Sequence, residues 1–371
     1  MRLPVGIDLG NGAIKLRMGE TRLLIPNVVS NGMTRADLLD GSKALDSLDV
    51  TITSDLVGGE RRYFVGNLAS YQGTRAKYMS PAEQKTSSIQ SSVMYMTALA
   101  AAVLKRKGEL GEPIGSHVEA DLYAVSGISL VESLQKGVRK RFEEKLAGTH
   151  IVRFEPPSPW GGVEVTLNVE TKVFPEGFAA FLWMVKNTQS VQLARDAVIG
   201  MAEIGELSTE FPVFQSNNLN PSLCSGEQLG VGAVIDELLV DIREYTGVES
   251  AFGNGRVELG RFLESPKRTV SLMGRVYDLS NVVEQRLSKE AKRLYDLIIA
   301  KWKRVPTIEQ FWIVGGGAAL FEPYLKELAK QESRMLYFAP DPGMARWMNA
   351  EGMYMLAEQA VQAYKAVSTN D

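Results

Sequence analysis

Cysteine is nearly absent from this chain: Cys224 is the only one in 371 residues. No intrachain disulfide can form, and two histidines are too few for a His-rich metal centre. Cys224 itself reads as a small core hydrophobe. Also missing is any run of about 20 uncharged apolar residues, so no membrane-spanning helix is expected. The first apolar run begins at Val5, which leaves no room for a secretory leader. A cytoplasmic protein without a membrane partner is the expectation. Neither charge sign dominates, since 41 Lys and Arg face 44 Asp and Glu for a net charge of -3. Direct nucleic-acid binding favours a strongly basic face and is not expected. What remains is a normal globular balance, 45% hydrophobic and 23% charged, at a length suited to about two or three domains.

The most informative stretch is residues 5–18. Val5, Ile7 and Leu9 form a period-2 apolar run into Gly10-Asn11-Gly12, and Ile14, Leu16 and Met18 alternate out of it. Two such runs around a short Gly/Asn turn predict a β-hairpin. Asp8 sits near the end of the first strand and Lys15 just after the turn. Glycines let backbone N–H groups approach an oxyanion, so carboxylate, turn and ammonium read as a metal–polyphosphate site. An ordinary hairpin with a surface Lys fits the same residues.

Farther along, strands are expected over residues 5–30, loop plus a short strand over 31–60, and a polar connection over 71–87. Ile89, Val93, Met96, Ala100 and Val103 predict a helix from Ser88 to Lys107, ended by Gly108. Asp121–Val125 reads as a strand and Leu130, Leu134, Val138, Phe142 and Leu146 as one amphipathic helix. A strand over Val163–Val173 leads to Pro175-Glu176-Gly177, which opens a helix over 178–187. The second half repeats this grammar: two strands over Ala197–Phe214, helices at about 227–245 and 281–303 (the latter capped by Asn281), and a strand Glu309–Val314 into Gly315-Gly316-Gly317. A helix from Glu322, a strand at 335–339 and a final helix from about Met344 follow. Two related α/β domains are expected, divided near the polar segment 188–196.

The order of these features resembles the actin-like ATPase superfamily: the Asp8/Lys15 hairpin, then Glu176 at a helix start, then the hairpin at 203–210, then Trp312-Ile313-Val314-Gly315-Gly316-Gly317. The ending Asn349-Ala350-Glu351-Gly352 is similar to that of the bacterial plasmid-segregation actins, the ParM/StbA type. The resemblance implies an α/β, ribonuclease H-like fold of two related domains with a nucleotide cleft between them. Domain I would span 1–190 with an inserted subdomain at about 20–85, domain II 191–345, and a C-terminal helix at 346–371 would pack back on domain I. It also implies ATP (or GTP) and Mg²⁺ as cofactors. Asp8 would hold Mg²⁺ through water, Gly10, Asn11, Gly12 and Ala13 would cradle phosphate, and Lys15 would neutralise its charge. Glu176 would orient the attacking water, although a helix-start carboxylate needs no such role. Glu203 stands where the family has Asp, with a role on metal or water. Gly205 and Ser208 would form the second phosphate loop, and Gly315, Gly316 and Gly317 would lie against the nucleoside, or form a plain strand–helix turn. Ser225-Gly226-Glu227, read as the turn opening the next helix, would place Gly226 near ribose or phosphate.

The second loop departs from the family pattern. It reads Glu203-Ile204-Gly205-Glu206-Leu207-Ser208-Thr209, with Glu206 in place of a glycine, so its carboxylate should point away from phosphate or face a metal. By resemblance the protein is a nucleotide-driven, head-to-tail homopolymer that hydrolyses its nucleotide and reaches plasmid DNA through a DNA-binding adaptor. A non-polymerising nucleotide-binding scaffold and a small-molecule kinase remain alternatives. Tyr71–Met79 is either a subunit contact loop or a solvated basic loop.

Overall fold

The structure, a computed structural model, describes residues 2–33, 43–80, 82–187, 197–253 and 255–368. It divides into two compact units, one of Met1–Trp183 with Asn349–Asp371, the other of Met184–Met348. The expected division at 188–196 lies outside the described residues.

The first unit opens with β1 (Leu3–Leu9), β2 (Ala13–Met18), β3 (Thr21–Pro26) and β4 (Val28–Asn31). Then come β5 (Leu48–Ser54), β6 (Gly59–Val65), the one-turn α1 (Asn67–Ser70) and β7 (Lys77–Tyr78). α2 (Ile89–Glu109), β8 (His117–Ile128), α3 (Leu130–Ser133), α4 (Val138–Leu146), β9 (Gly148–Phe154), β10 (Glu164–Pro175) and α5 (Phe178–Asn187) complete this part. All ten strands share one sheet, ordered β3-β2-β1-β8-β10-β9-β5-β6-β4-β7. Residues of the expected insertion therefore continue this sheet through the β5–β9 pairing.

The centre of the sheet, β1-β8-β10, is parallel, which demands cover on both faces. Successive residues of β8 show that cover. Leu122 and Ala124 join α2 and α4 in one core, while Tyr123 and Val125 face a second core with Ala179 of α5. α2 is buried on every side from Gln90 to Leu104, because Ser, Thr and Ala fill the face opposite Val93 and Met96. Ile89, expected in the core, is instead 56% exposed. The helix also passes through Gly108 and stops at Glu109. The single helix expected over 130–146 is two, broken where Gly137 takes a φ of 76°. Leu134 falls in the break and is exposed.

The second unit contains β11 (Val198–Ile204), β12 (Thr209–Phe211), β13 (Val213–Gln215), β14 (Asn218–Leu219) and β15 (Ser225–Glu227). α6 (Val231–Thr246), α7 (Arg256–Glu264), the hairpin β16 (Thr269–Leu272) and β17 (Arg275–Asp278), and α8 (Ser280–Arg304) follow. β18 (Gln310–Val314), α9 (Ala318–Gln331), β19 (Tyr337–Phe338) and α10 (Pro342–Ala345) end it. β11 is central: β12 and β13 pair with its two halves on one side and β18 runs parallel on the other. α7 and the β16–β17 hairpin have no counterpart in the sequence reading. α8 starts at Ser280 without Asn281 as its cap; Asp278 accepts the Ser280 N–H at 2.9 Å instead. α9 begins at the glycine turn rather than at Glu322.

α11 (Met348–Ser368) then crosses to the first unit, where Met353, Ala357 and Val361 fill the second core. No helix among the described residues is long and apolar enough to cross a membrane.

Candidate functional site

Asp8 and Lys15 are register partners across the β1–β2 hairpin, so their side chains stand on one face. The Lys15 ammonium donates to Asp8 Oδ2 at 3.0 Å, and Asp8 is 4% exposed. Between them the Gly10-Asn11-Gly12 turn is tied from below by Asn27, which falls inside the stretch expected as strands over residues 5–30. Asn27 donates its side-chain amide to the Gly10 carbonyl and its backbone N–H to the Gly12 carbonyl, both at 3.0 Å. Gln90 of α2 in turn donates to Asn27. In a trans peptide the C=O and N–H point oppositely, so the N–H groups of Asn11 and Ala13 are turned away from Asn27. Gly10 is required by space: an added Cβ would lie 2.5 Å from the Ala13 carbonyl and 3.1 Å from the Lys15 ammonium.

Glu176 ends the same face. Its N–H continues the sheet by donating to Ile128 O, and Gly177, with a φ of 80°, turns the chain into α5. Gly127 leaves the room: a Cβ there would approach Glu176 Cγ to 3.1 Å. The Glu176 carboxylate is ion-paired with Lys85, a buried ammonium from the segment read as a polar connection. Lys85 is held in place by its neighbours, since Lys145 donates to the Thr86 carbonyl at 3.0 Å and Thr86 donates to Glu132. Burial pushes the Glu176 carboxyl up. Lys85 opposes the shift, Asp8 adds to it, and Lys15 opposes it more weakly. The structure thus gathers two carboxylates and two ammoniums, Asp8, Lys15, Lys85 and Glu176, beside one glycine turn.

Asn349-Ala350-Glu351-Gly352 is the clasp behind this face. Asn349 accepts from the N–H groups of Gly177 and Ala180, each at 3.2 Å, and so caps α5 from another helix. Glu351 is 1% exposed and paired with Arg17 and Arg22 of the opening hairpins. Gly352 and Gly6 let backbones touch: an added Cβ would fall 1.9 Å from Ala179 O and 2.2 Å from Tyr354 N respectively.

In the second unit Glu203 lies one residue before the end of β11, faces Glu210 across the β11–β12 hairpin and is buried. The turn is closed by Gly205 N–H donating to Ser208 O at 2.9 Å. Val231 and Gly232, the first residues of α6, donate their N–H groups to the Gly205 and Glu206 carbonyls. The turn and the helix start are therefore one piece. Glu206 is turned toward Arg256, with 3.4 Å between Oε1 and Nη1, so the irregular carboxylate meets a cation from α7. The glycine turn packs on the same spot. Gly317 N–H donates to Ile204 O at 2.9 Å, Gly315 has a φ of 94°, and a Cβ on either would collide with Ile204. Gly316 has nothing within 4 Å of such a Cβ. The turn expected at Ser225-Gly226-Glu227 needs correction: these residues are strand β15, paired with β12, and α6 begins only at Val231. Cys224 is half-buried rather than a core residue, with its thiol donating to Asn220 O.

The sequence model for the N-terminal domain of actin-like proteins matches residues 6–178. That for the C-terminal part of the archaeal MreB-like actin homologue matches residues 201–327. No curated protein sequence matches the chain. Solved structures match in fold. Bacillus thuringiensis ParM with ATP gives a TM-score of 0.73 at 18% identity, over 97% of this chain and 99% of that one. ParM from the 15-stranded filament of Clostridium botulinum gives 0.71 at 20% identity, over 96% and 99%, and so does an archaeal actin homologue. One sequence model lies in each unit and the solved structures span nearly the whole chain, so this chain belongs to the actin-like proteins and has the two-domain α/β fold of the ParM type.

Proposed function

We propose that this protein is a nucleotide-dependent, filament-forming actin-like ATPase that binds ATP (or GTP) with Mg²⁺, polymerises head to tail and hydrolyses the nucleotide slowly. A DNA-binding adaptor would couple the polymer to plasmid segregation. The observation that carries the reading is the Asp8–Lys15 and Lys85–Glu176 pairs, each with one buried partner, beside the Gly10–Ala13 turn. Solved ParM structures with ATP, AMPPNP and ADP, and one of a ParM filament, support it at the level of fold.

The residues present fit the ligands. The Gly10 position admits no side chain, which suits a backbone cradle for phosphate. Among the described residues no three His, Cys, Asp or Glu side chains gather to hold a metal alone. A hydrated Mg²⁺ needs only one or two carboxylates besides phosphate oxygens, and Asp8 supplies one. Mg²⁺ held there would supply positive charge against that of the phosphates. Lys15 adds positive charge from the other strand, and the Asn11 and Ala13 N–H groups face the phosphate side. Glu176 accepts the proton of the water whose oxygen attacks the γ-phosphorus as the bond to the β-phosphate oxygen breaks. Its raised carboxyl, opposed by Lys85, brings the base nearer neutrality. In the second unit Glu203, Gly205 and Ser208 form the second phosphate loop and Gly315–Gly317 the nucleoside platform.

Light scattering and pelleting with ATP, GTP or no nucleotide, alongside phosphate release, test the reading. Polymer should appear only with nucleotide. Glu176→Ala should still assemble but release phosphate at least about tenfold more slowly, as general-base losses of about 10²–10⁴ allow. Asp8→Ala should lose Mg²⁺-dependent nucleotide binding. Binding without polymer or turnover would favour the scaffold, and phosphate transfer to a metabolite the kinase.

A further inference from the structure

The β16–β17 hairpin buries little of its own apolar surface. Its turn is Met273-Gly274, with φ of 48° and 76°, a two-residue turn of the tight hairpin kind. A methionine is disfavoured at positive φ, yet here it stands at the tip with its side chain 87% exposed, beside Val276 at 73%. The hairpin leads directly into the start of α8, and Tyr277 packs edge-on against Tyr245 at the end of α6. At the other end of α8 lies an apolar cavity of about 220 Å³, walled by Phe211, Ile308 and Phe311 with Cys224, Lys301 and Arg304 at its sides. The 25 residues of α8 separate tip and cavity by about 37 Å at about 1.5 Å per residue. One copy cannot bring the two together.

We propose that the hairpin tip of one copy seats in the α8-end cavity of the next, as a head-to-tail contact of the filament; the inference rests on the filament reading above. The chemistry of the two ends is complementary. Methionine is an adaptable filler for an irregular apolar hole. At the base of the hairpin Asp278 is an exposed carboxylate, and Glu244 is another beside the Tyr245 on which the hairpin packs, while Lys303 and Arg304 are exposed cations at the cavity end. Arg275 beside the tip meets Glu227, which stands at the cavity mouth paired with Lys301. Two different surfaces at opposite ends make a heterologous contact, which propagates rather than closes.

The native cysteine supplies the test. Met273→Cys places a second thiol at the tip, and Cys224 already lines the cavity. Copper-phenanthroline oxidation of the nucleotide-assembled variant should give a ladder of covalent oligomers. Met273→Cys combined with Cys224→Ser, and the wild type with one cysteine, should stop at dimers. The exposed double change Met273→Glu with Val276→Glu should raise the critical concentration at least about tenfold, a loss of about 1.4 kcal/mol, with nucleotide affinity unchanged. Polymer of the Met273→Cys variant without a Cys224-dependent ladder, or normal assembly of the double variant, overturns this contact and leaves the filament reading standing. A wild type that forms no polymer with any nucleotide overturns both.

Discussion

Glu176 and Lys85 show what residues far apart in sequence do to each other. Burial disfavours the charged carboxylate, and the Lys85 ammonium is the largest influence opposing that. An opposite charge at contact distance commonly lowers a carboxyl by about 1–3 pKa units. Lys85→Gln should therefore raise the Glu176 carboxyl further, so that at a given pH less of it is the ionised base. The acid limb of the phosphate-release profile should move to higher pH. Profiles of wild type and variant from about pH 5 to 9 would check this, and an unmoved limb would separate Glu176 from the proton transfer. Asp8 and Lys15 were legible because a hairpin sets its partners locally. Lys85 was not, since it lies 91 residues from Glu176 in a segment whose composition reads as loop. Asn27 and Gln90 were missed for the same reason: their work is hydrogen bonding to a distant backbone, which leaves no periodicity.

Elements were legible where burial follows a single face, as in β2 and β10. They were misread where a backbone feature overrides the side-chain pattern. Gly137 splits an apolar i+4 series into α3 and α4, and strand pairing takes Ser225–Glu227 away from the helix it was assigned to. The short α7 buries only Leu259 and Leu263, and the β16–β17 hairpin has no buried residue, so no extended pattern announced them. The clasp of α11 was visible as a motif but not as a mechanism, because close approach of two backbones is invisible in one dimension. That mechanism makes a sharp contrast. Gly352→Ala would force a Cβ to within 1.9 Å of Ala179 O, and overpacking of this kind costs about 1–3 kcal/mol or more. The chain should show a lower urea midpoint, with α5 and Asn349 pushed apart. Gly316→Ala, with open space around it, should leave the midpoint within about 0.5 kcal/mol of wild type, as unconstrained surface changes do. Equal midpoints for the two variants would contradict the clasp.

At the scale of the molecule the path of the chain is unequal. The second unit is one continuous stretch, whereas the first is completed only when the chain returns at Asn349. The returning helix brings Met353, Ala357 and Val361 to the second core, the cap of α5 and the carboxylate that neutralises Arg17 and Arg22. Large buried side chains contribute about 1.5–3 kcal/mol each, and a whole domain is stable by only about 5–15 kcal/mol. Ending the chain after Met348 should therefore unfold the first unit and leave the second folded. The tryptophans allow the two to be followed separately: Trp160 and Trp183 belong to the first unit, Trp302, Trp312 and Trp347 to the second. In a truncated chain carrying Trp160→Phe and Trp183→Phe, fluorescence should still report a cooperative urea transition. The same truncation with only Trp160 and Trp183 retained, the other three changed to Phe, should show none. Loss of both transitions would mean that the two units fold as one, and survival of both would mean that α11 is not what completes the first.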